Sequence, residues 1–298
     1  MVRYKVIING KRRLSAVVDS LLSSIQLHFG SEALDVFVTQ KPNDAIQAAK
    51  ESTDRNEIII CIGGDGTLNE VVNGIMMALA KPSPLLIIPN GTGNDFCRGQ
   101  KFLLHEKNII SALQNLSPTY YDVVRICSES EERYCINVCD AGLGGYTTQI
   151  LNSLRRMGID QGFSYKIASL YALIKFKPIS MTLKTDEEVH SETKFMMVTV
   201  CNGNTFGNGL IIHPDANPKD GKLHLVLFEK VTWMDYIFQL SNLKQGRKLQ
   251  HPGVKYVECT SVNIQSSRNL PFELDGELMD GMNFDIELLP SILPILQY

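Results

Sequence analysis

The residues best suited to chemistry are Gly63-Gly64-Asp65-Gly66-Thr67-Leu68-Asn69-Glu70, placed straight after the apolar run Ile58-Ile59-Ile60-Cys61-Ile62 and opening a stretch of helical spacing. Glycines let a ligand approach the backbone closely. Successive amide N–H groups at a helix start form an anion cradle, which the helix dipole reinforces. A bare Asp65 carboxylate would repel phosphates held there, and a Mg²⁺ ion shared between carboxylate and phosphate oxygens removes that conflict. A plain capped turn needs one polar residue, not three glycines. The pattern is neither the Gly-Lys-Ser/Thr phosphate loop nor G-x-G-x-x-G.

A second loop of the same texture follows one apolar run later, in Ile87-Ile88-Pro89-Asn90-Gly91-Thr92-Gly93-Asn94-Asp95-Phe96. Thr92 can donate its hydroxyl to a phosphate, whereas Asn94 and Asp95 suit side-chain to backbone bonds that fix the loop. Two such loops after adjacent parallel strands would share the carboxyl edge of one sheet, where open α/β folds bind ligands. Late in the chain, Asp275-Gly276-Glu277 sets a carboxylate on either side of a glycine. Asp-Gly is also a strong hairpin-turn signal, so the residues alone leave a turn and a catalytic pair equally open. His213 is a poor candidate for magnesium, which prefers oxygen. Trp233, Tyr236, Ile237 and Phe238, followed by Lys244, Arg247 and Lys248, read first as a helix packed on a sheet and second as a membrane-facing surface.

The elements that must position these loops alternate in type. Tyr4–Ile8, Leu34–Thr39, Glu57–Ile62 and Leu85–Pro89 read as strands, and Leu14–Phe29, Asp44–Ser52, Leu68–Ala80 and Glu106–Leu116 as helices. Nearly continuous apolar strands between helices imply a parallel sheet covered on both faces. After a strand at Tyr120–Ile126 the texture changes. Tyr134–Cys139, Met181–Lys184, Phe195–Asn202, Leu223–Phe228, Val254–Thr260, Val262–Gln265 and Phe284–Leu289 read as short strands, interrupted by helical stretches at Tyr146–Phe176 and Thr232–Lys248. The expectation is an α/β N-terminal domain over 1–126 and a mainly antiparallel, sandwich-like domain over 127–298, with the last residues returning to the first domain. Two domains imply a cleft as the ligand site.

With 298 residues, 44% hydrophobic and 20% charged, the chain can bury a sizeable core, and a net charge of −3 gives no general attraction to nucleic acid. No window approaches a membrane span. Cys61, Cys97, Cys127, Cys135, Cys139, Cys201 and Cys259 form no C-x-x-C pair and read as buried, reduced thiols of a cytosolic protein.

The pairing of Gly63-Gly64-Asp65-Gly66-Thr67 with Asn90-Gly91-Thr92-Gly93-Asn94-Asp95-Phe96 resembles the signature of diacylglycerol kinase catalytic domains, especially the soluble bacterial lipid kinases. Asn217-Pro218-Lys219-Asp220-Gly221-Lys222-Leu223 looks like that family's structural-magnesium loop, and Leu274-Asp275-Gly276-Glu277 like its late acidic motif. The resemblance covers nearly the whole chain. It implies a three-layer domain holding ATP, a β-rich domain, and lipid entering between them. The ATP contacts it implies are Asn9, Gly10, Thr39, Gly64, Asp65, Gly66, Thr67, Leu68, Asn69, Glu70 and Thr92. The implied metal residues are Asp65, Asp122, Asn217, Asp220 and Lys222. This chain departs from the family in its first loop, where Asn9-Gly10-Lys11 replaces a longer Asn-Pro-x-Ser-Gly pattern; Lys11, Arg12 and Arg13 could supply the charge instead.

A lipid hydroxyl needs a carboxylate to accept its proton, and with the resemblance that role falls to Glu277, oriented by Asp275, with Asp65 as the rival base. The expected activity is ATP- and Mg²⁺-dependent phosphorylation of a lipid hydroxyl, diacylglycerol first, with a sphingoid base or other lipid alcohol as alternative. An NAD kinase would carry a Thr-Pro-Thr-Gly-Ser-Thr-Ala-Tyr-like segment, which is absent; a non-catalytic nucleotide-binding regulator is the third class. The lipid would be met reversibly at the inner face of the membrane. Basic Arg155, Arg156, Lys166, Lys175 and Lys177, interleaved with Leu151, Leu154, Phe163, Tyr165, Leu170 and Phe176, are the expected docking residues. The sequence leaves monomer and homodimer open.

Overall fold

In the first unit, local chemistry sets each element. Ser15 accepts the Val18 N–H and so opens helix α1 (Ala16–Phe29), whose Val18, Leu21 and Ile25 are buried at helical spacing. Strands β1 (Tyr4–Ile8), β2 (Leu34–Val38), β3 (Ile58–Gly63) and β4 (Leu85–Pro89) alternate with α1, α2 (Asp44–Asp54) and α3 (Asp65–Met76). They pair in the order β2-β1-β3-β4, all parallel. Every residue of β1 and β3 is buried, as both-face coverage requires. Short α4 (Asp95–Gly99) and α5 (Glu106–Asn115) lead to β5 (Thr119–Cys127). The computed structural model describes residues 2–158, 161–186, 188–229 and 231–298.

Contacts divide the chain into Met1–Val123 with Leu289–Tyr298, and Val124–Leu288. The C-terminal segment thus belongs to the first unit, where Ile295 pairs in parallel with Leu85. Ser291 donates its backbone N–H to the fully buried Asp122 carboxylate at 2.7 Å, which pins that return.

The second unit continues with β6 (Glu132–Cys135), β7 (Val138–Gly142), α6 (Leu143–Arg156), α7 (Gln161–Lys175), β8 (Ile179–Thr185), β9 (Val189–Phe195) and β10 (Met197–Cys201). A small ribbon, β11 (Thr205–Phe206) with β12 (Leu210–Ile211), precedes β13 (Leu223–Phe228) and α8 (Trp233–Lys244). The chain then forms β14 (Val254–Cys259), β15 (Ser261–Gln265), β16 (Phe272–Leu274), β17 (Glu277–Met279) and β18 (Asn283–Ile295). One antiparallel sheet runs β14-β13-β10-β7-β16-β17. Within this unit β18, β15, β8 and β9 also pair antiparallel, as do β5 and β6. Side chains of both sets share one core, with Val198, Leu225 and Phe272 from the first packed with Leu183, Ile264 and Phe284 from the second. The architecture is therefore an α/β domain plus an antiparallel sandwich.

The differences from the expected elements are local. Tyr134–Cys139 is two strands, broken where Ile136 and Asn137 give their carbonyls to Asn202. The stretch Tyr146–Phe176 is two helices, the first followed by Gly158 at φ 78°. The seven cysteines are unbridged, and all but Cys127 are buried.

Candidate active site

Loops after β1, β2, β3 and β4 are stitched into one edge of the parallel sheet. Asn9 donates its side-chain NH2 to the Thr67 hydroxyl at 2.7 Å, and its side-chain Oδ1 accepts the Lys11 N–H at 2.9 Å. Gly10 N–H donates to the Thr39 hydroxyl at 3.1 Å. The two glycine loops touch: a Cβ on Gly91 would lie 2.5 Å from Gly64 Cα. Asn94, at φ 50°, holds the second loop by accepting the Gly91 N–H and donating to the Gly91 carbonyl, at 2.9 and 3.0 Å.

Not all of the expected nucleotide contacts reach solvent. Gly64, Asp65 and Gly66 are half-buried, while Gly10, Lys11 and Thr92 are exposed. Thr67, Leu68 and Asn69 are buried. Glu70 accepts the Ala45 N–H at 3.2 Å, at the start of α2. It therefore serves the join between helices.

Asp65 Oδ1 accepts the Phe96 N–H at 3.4 Å, and its Oδ2 would lie 2.8 Å from a Cβ on Gly93. The carboxylate thus sits against the second loop. Among the described residues no three His, Cys, Asp or Glu side chains gather as a metal cage. One carboxylate beside two glycine loops still fits Mg²⁺, which keeps most of its ligands as water and small-ligand oxygen. Asp122 spends one carboxylate oxygen on Ser291.

In the second unit, Leu274 faces Glu277 across a two-residue turn in which Asp275 and Gly276 have φ of 48° and 89°. Both angles are positive, so this is a tight hairpin of the primed kind, for which Asp-Gly is suited. Asp275 reaches inward: it accepts N–H bonds from Ile136 and Val138 at 3.1 and 3.2 Å and the Cys135 thiol at 3.3 Å. It orients the hairpin through β6 and β7. Glu277 is exposed on the first residue of β17. Turn and carboxylate pair thus coexist in one motif, one acid latching the backbone and the other at the surface.

The Asn217–Lys222 turn closes on itself. The Asn217 carbonyl accepts from Lys219 and Asp220, and Asp220 accepts the Lys222 N–H at 3.0 Å. Its other oxygen meets His224 Nε2 at 2.9 Å. His213 packs 4.7 Å from the His224 ring and 5.0 Å from Tyr256, and burial pushes its pKa down to about 4. It belongs to a buried aromatic cluster.

Sequence reasoning missed a buried acid pair. Asp140 on β7 lies directly opposite Glu273 on β16, and both are buried. Burial raises both pKa values, Glu273 the more because Asp140 adds its charge. The only local signal was an acidic residue inside each apolar strand.

The expected docking residues divide. Leu151 is buried and Phe176 packs on the core, whereas Arg156, Lys175 and Lys177 are exposed. The side chains of Arg155, Phe163, Tyr165 and Lys166, and of Trp233 and Tyr236, lie outside the described residues. Among the described residues of α7 the exposed apolar ones are Ile167, Leu170, Tyr171 and Ile174, one stripe at helical spacing. Helix α8 buries Leu243 but exposes Met234, Ile237 and Phe238. No described helix is long and apolar enough to cross a membrane.

Residues 3–126 match the family described as diacylglycerol kinase catalytic domain, and residues 137–297 match the YegS C-terminal NAD kinase beta sandwich-like domain. The chain is 29% identical to a diacylglycerol kinase of Staphylococcus saprophyticus, over 92% of this chain and 88% of that one. It is 30% identical to a diacylglycerol kinase of Staphylococcus haemolyticus, over 90% and 79%. A crystal structure of a diacylglycerol kinase from Bacillus anthracis shares the fold with a TM-score of 0.72, at 20% identity, over 99% of this chain and 97% of that one.

Proposed function

Because the chain belongs to the diacylglycerol kinase catalytic family, we propose that this lipid kinase moves the γ-phosphoryl group of ATP, with magnesium, to the hydroxyl of diacylglycerol, giving phosphatidate. The observation that carries the reading is the meeting of Gly64 and Gly91 at the carboxyl edge of β3 and β4, with the Asp65 carboxylate against the second loop. Two glycine loops in contact offer backbone N–H groups to phosphates with no side chain in the way. Thr92 adds an exposed hydroxyl, and Lys11 a charge at the shortened first loop.

Magnesium, when bound, would neutralise the negative charge of the phosphates. Asp65 would hold the cation, and Asn9 and Thr67 fix the loops beside it. Glu277 accepts the proton of the lipid hydroxyl, since it is exposed while Asp275 is consumed by three backbone and thiol donors. The Asn217–Lys222 turn is proposed as a second, structural magnesium position, with backbone carbonyls of Asn217 and Lys222 and the Asp220 carboxylate as oxygen ligands.

The lipid is met by reversible contact with an anionic membrane face, through Ile167, Leu170, Tyr171 and Ile174 of α7 flanked by Lys175 and Lys177. Vesicle co-sedimentation should weaken as salt rises, and binding unaffected by salt would remove the electrostatic part. For the reaction itself, labelled ATP is offered with diacylglycerol, monoacylglycerol, sphingosine and NAD in turn, with and without magnesium. Label on diacylglycerol only when magnesium is present is expected. Label on sphingosine instead moves the acceptor class, and label on NAD, or on nothing, overturns the reading.

A further inference from the structure

On the helix-covered face of the sandwich, the row Thr199–Asp140–Glu273 runs across β10, β7 and β16. All three are buried. Asp140 accepts the Gly145 N–H at 3.2 Å in the first turn of α6, and Glu273 accepts the Gly276 N–H at 2.8 Å in the hairpin. The first turn of α6 can come so close only because it carries glycines. A Cβ on Gly144 would overlap the Asp140 carboxylate, and one on Gly145 would overlap the Pro271 carbonyl. The two acids therefore join the N-terminal end of α6 to the turn that carries Glu277.

Two carboxyls that hydrogen-bond each other need one proton between them, because an ionised carboxylate has no donor. With Glu273 and Asp140 sharing one buried spot, double ionisation is strongly disfavoured. The negative charge that remains belongs on Asp140, which faces the α6 N–H groups and the positive end of the helix dipole. Glu273 then carries the proton, donating it to Asp140 while its other oxygen holds Gly276. The titratable neighbours are Asp275 in the hairpin, which adds to the cost of ionising Glu273, and the buried Cys201 thiol of β10. The first turn of α6 brings no acid, and the Thr199 hydroxyl has no hydrogen-bond partner.

We propose that Glu273, protonated and hydrogen-bonded to Asp140, is a positioning residue for the transfer reaction, holding the Asp275-Gly276-Glu277 hairpin in its working register on α6. This role rests on the kinase reading above. Loss of the proton sets two negative charges against each other across β7 and β16, and the Gly276 end of the contact moves with Glu273. Activity is then lost on the alkaline side through kcat, while the KM for ATP, set by the first unit, stays unchanged.

Three measurements test this on the full chain. The infrared difference between wild type and Glu273→Gln at neutral pH should show the C=O stretch of a protonated carboxylic acid, lost in the variant because an amide replaces the carboxyl. Asp140→Asn, which takes away the neighbouring charge but not the burial of Glu273, should move the loss of that band to lower pH and serves if the first variant fails to fold. Hydrogen exchange at the 275–277 amides should quicken in wild type relative to Glu273→Gln at the same pH, by about tenfold per unit above the pair's upper pKa. The kcat profile should fall over that range in wild type and stay flat in Glu273→Gln. No acid band, a band that Glu273→Gln keeps, or a band whose loss Asp140→Asn does not move, overturns the shared proton. A band without the exchange difference, or with parallel kcat profiles, overturns the positioning role. The band and the exchange are read without any acceptor lipid, so failure of the kinase reading would show separately, as a chain inactive on every acceptor with the pair intact.

Discussion

Gly64 and Gly91 stand back to back, with a Cβ added to Gly91 falling 2.5 Å from Gly64 Cα and 2.6 Å from the Asn94 side-chain oxygen. Gly91→Ala must therefore push the second loop off the first and break the Asn94 clasp. Overpacking of this kind costs about 1–3 kcal/mol. The expected outcome is a lower Tm and a raised KM for ATP together. A variant with unchanged ATP affinity would mean the loop contact is not part of the nucleotide site.

Asp65→Asn keeps the size of the side chain and an oxygen for the Phe96 N–H. The fold should survive while magnesium anchoring is lost. Turnover at saturating magnesium should fall by at least about a hundredfold, in line with loss of a group needed in the transition state. Activity within a few-fold of wild type would sink the assignment.

Asp275 and Glu277 should separate by which quantity they move. Asp275→Asn trades an acceptor of the Ile136 and Val138 N–H groups for an amide, so Tm should fall, by the equivalent of about 1–3 kcal/mol. Glu277→Gln is an exposed change and should leave Tm alone while lowering kcat about 10²–10⁴-fold, with ATP affinity unchanged. If Glu277→Gln is active, Asp65 becomes the remaining base.

Asp220→Ala removes the partner of the buried His224 and the acceptor of Lys222 N–H. Stability should drop by about 1–2 kcal/mol even in chelator. A further loss that appears only with magnesium present is expected if the turn holds an ion. Melting curves with equal losses in both conditions would leave a plain turn.

His213 should make the protein acid-sensitive in a defined window. Burial, then the charges of His224 and Lys248, hold its pKa near 4 against an ordinary 6.5. Folded His213 is neutral, so its full contribution is present above pH 6.5. That contribution is lost as pH falls towards about 4. The slope approaches about 1.4 kcal/mol per pH unit for one proton. His213→Phe keeps a ring against His224 and Tyr256 and should flatten the urea midpoint over that window. An unaltered slope would assign acid sensitivity to other groups.

The loops at Gly63–Thr67 and Asn90–Asp95, the parallel order of the strands before them and the antiparallel texture of the second half were legible in the sequence. Each is written in neighbouring residues: glycines where backbone must meet backbone, and continuous Ile and Val where both sheet faces are covered. The role of Asp275 as a latch was not legible, because its partners lie on β6 and β7 and are chosen by strand register. Nor was the anchoring of Ser291 by Asp122, 169 positions away. The Asp140–Glu273 pair shows the reason most clearly. Each acid alone is an odd residue in an apolar strand, and only the pairing of β7 with β16 puts two carboxyls where one proton must serve both.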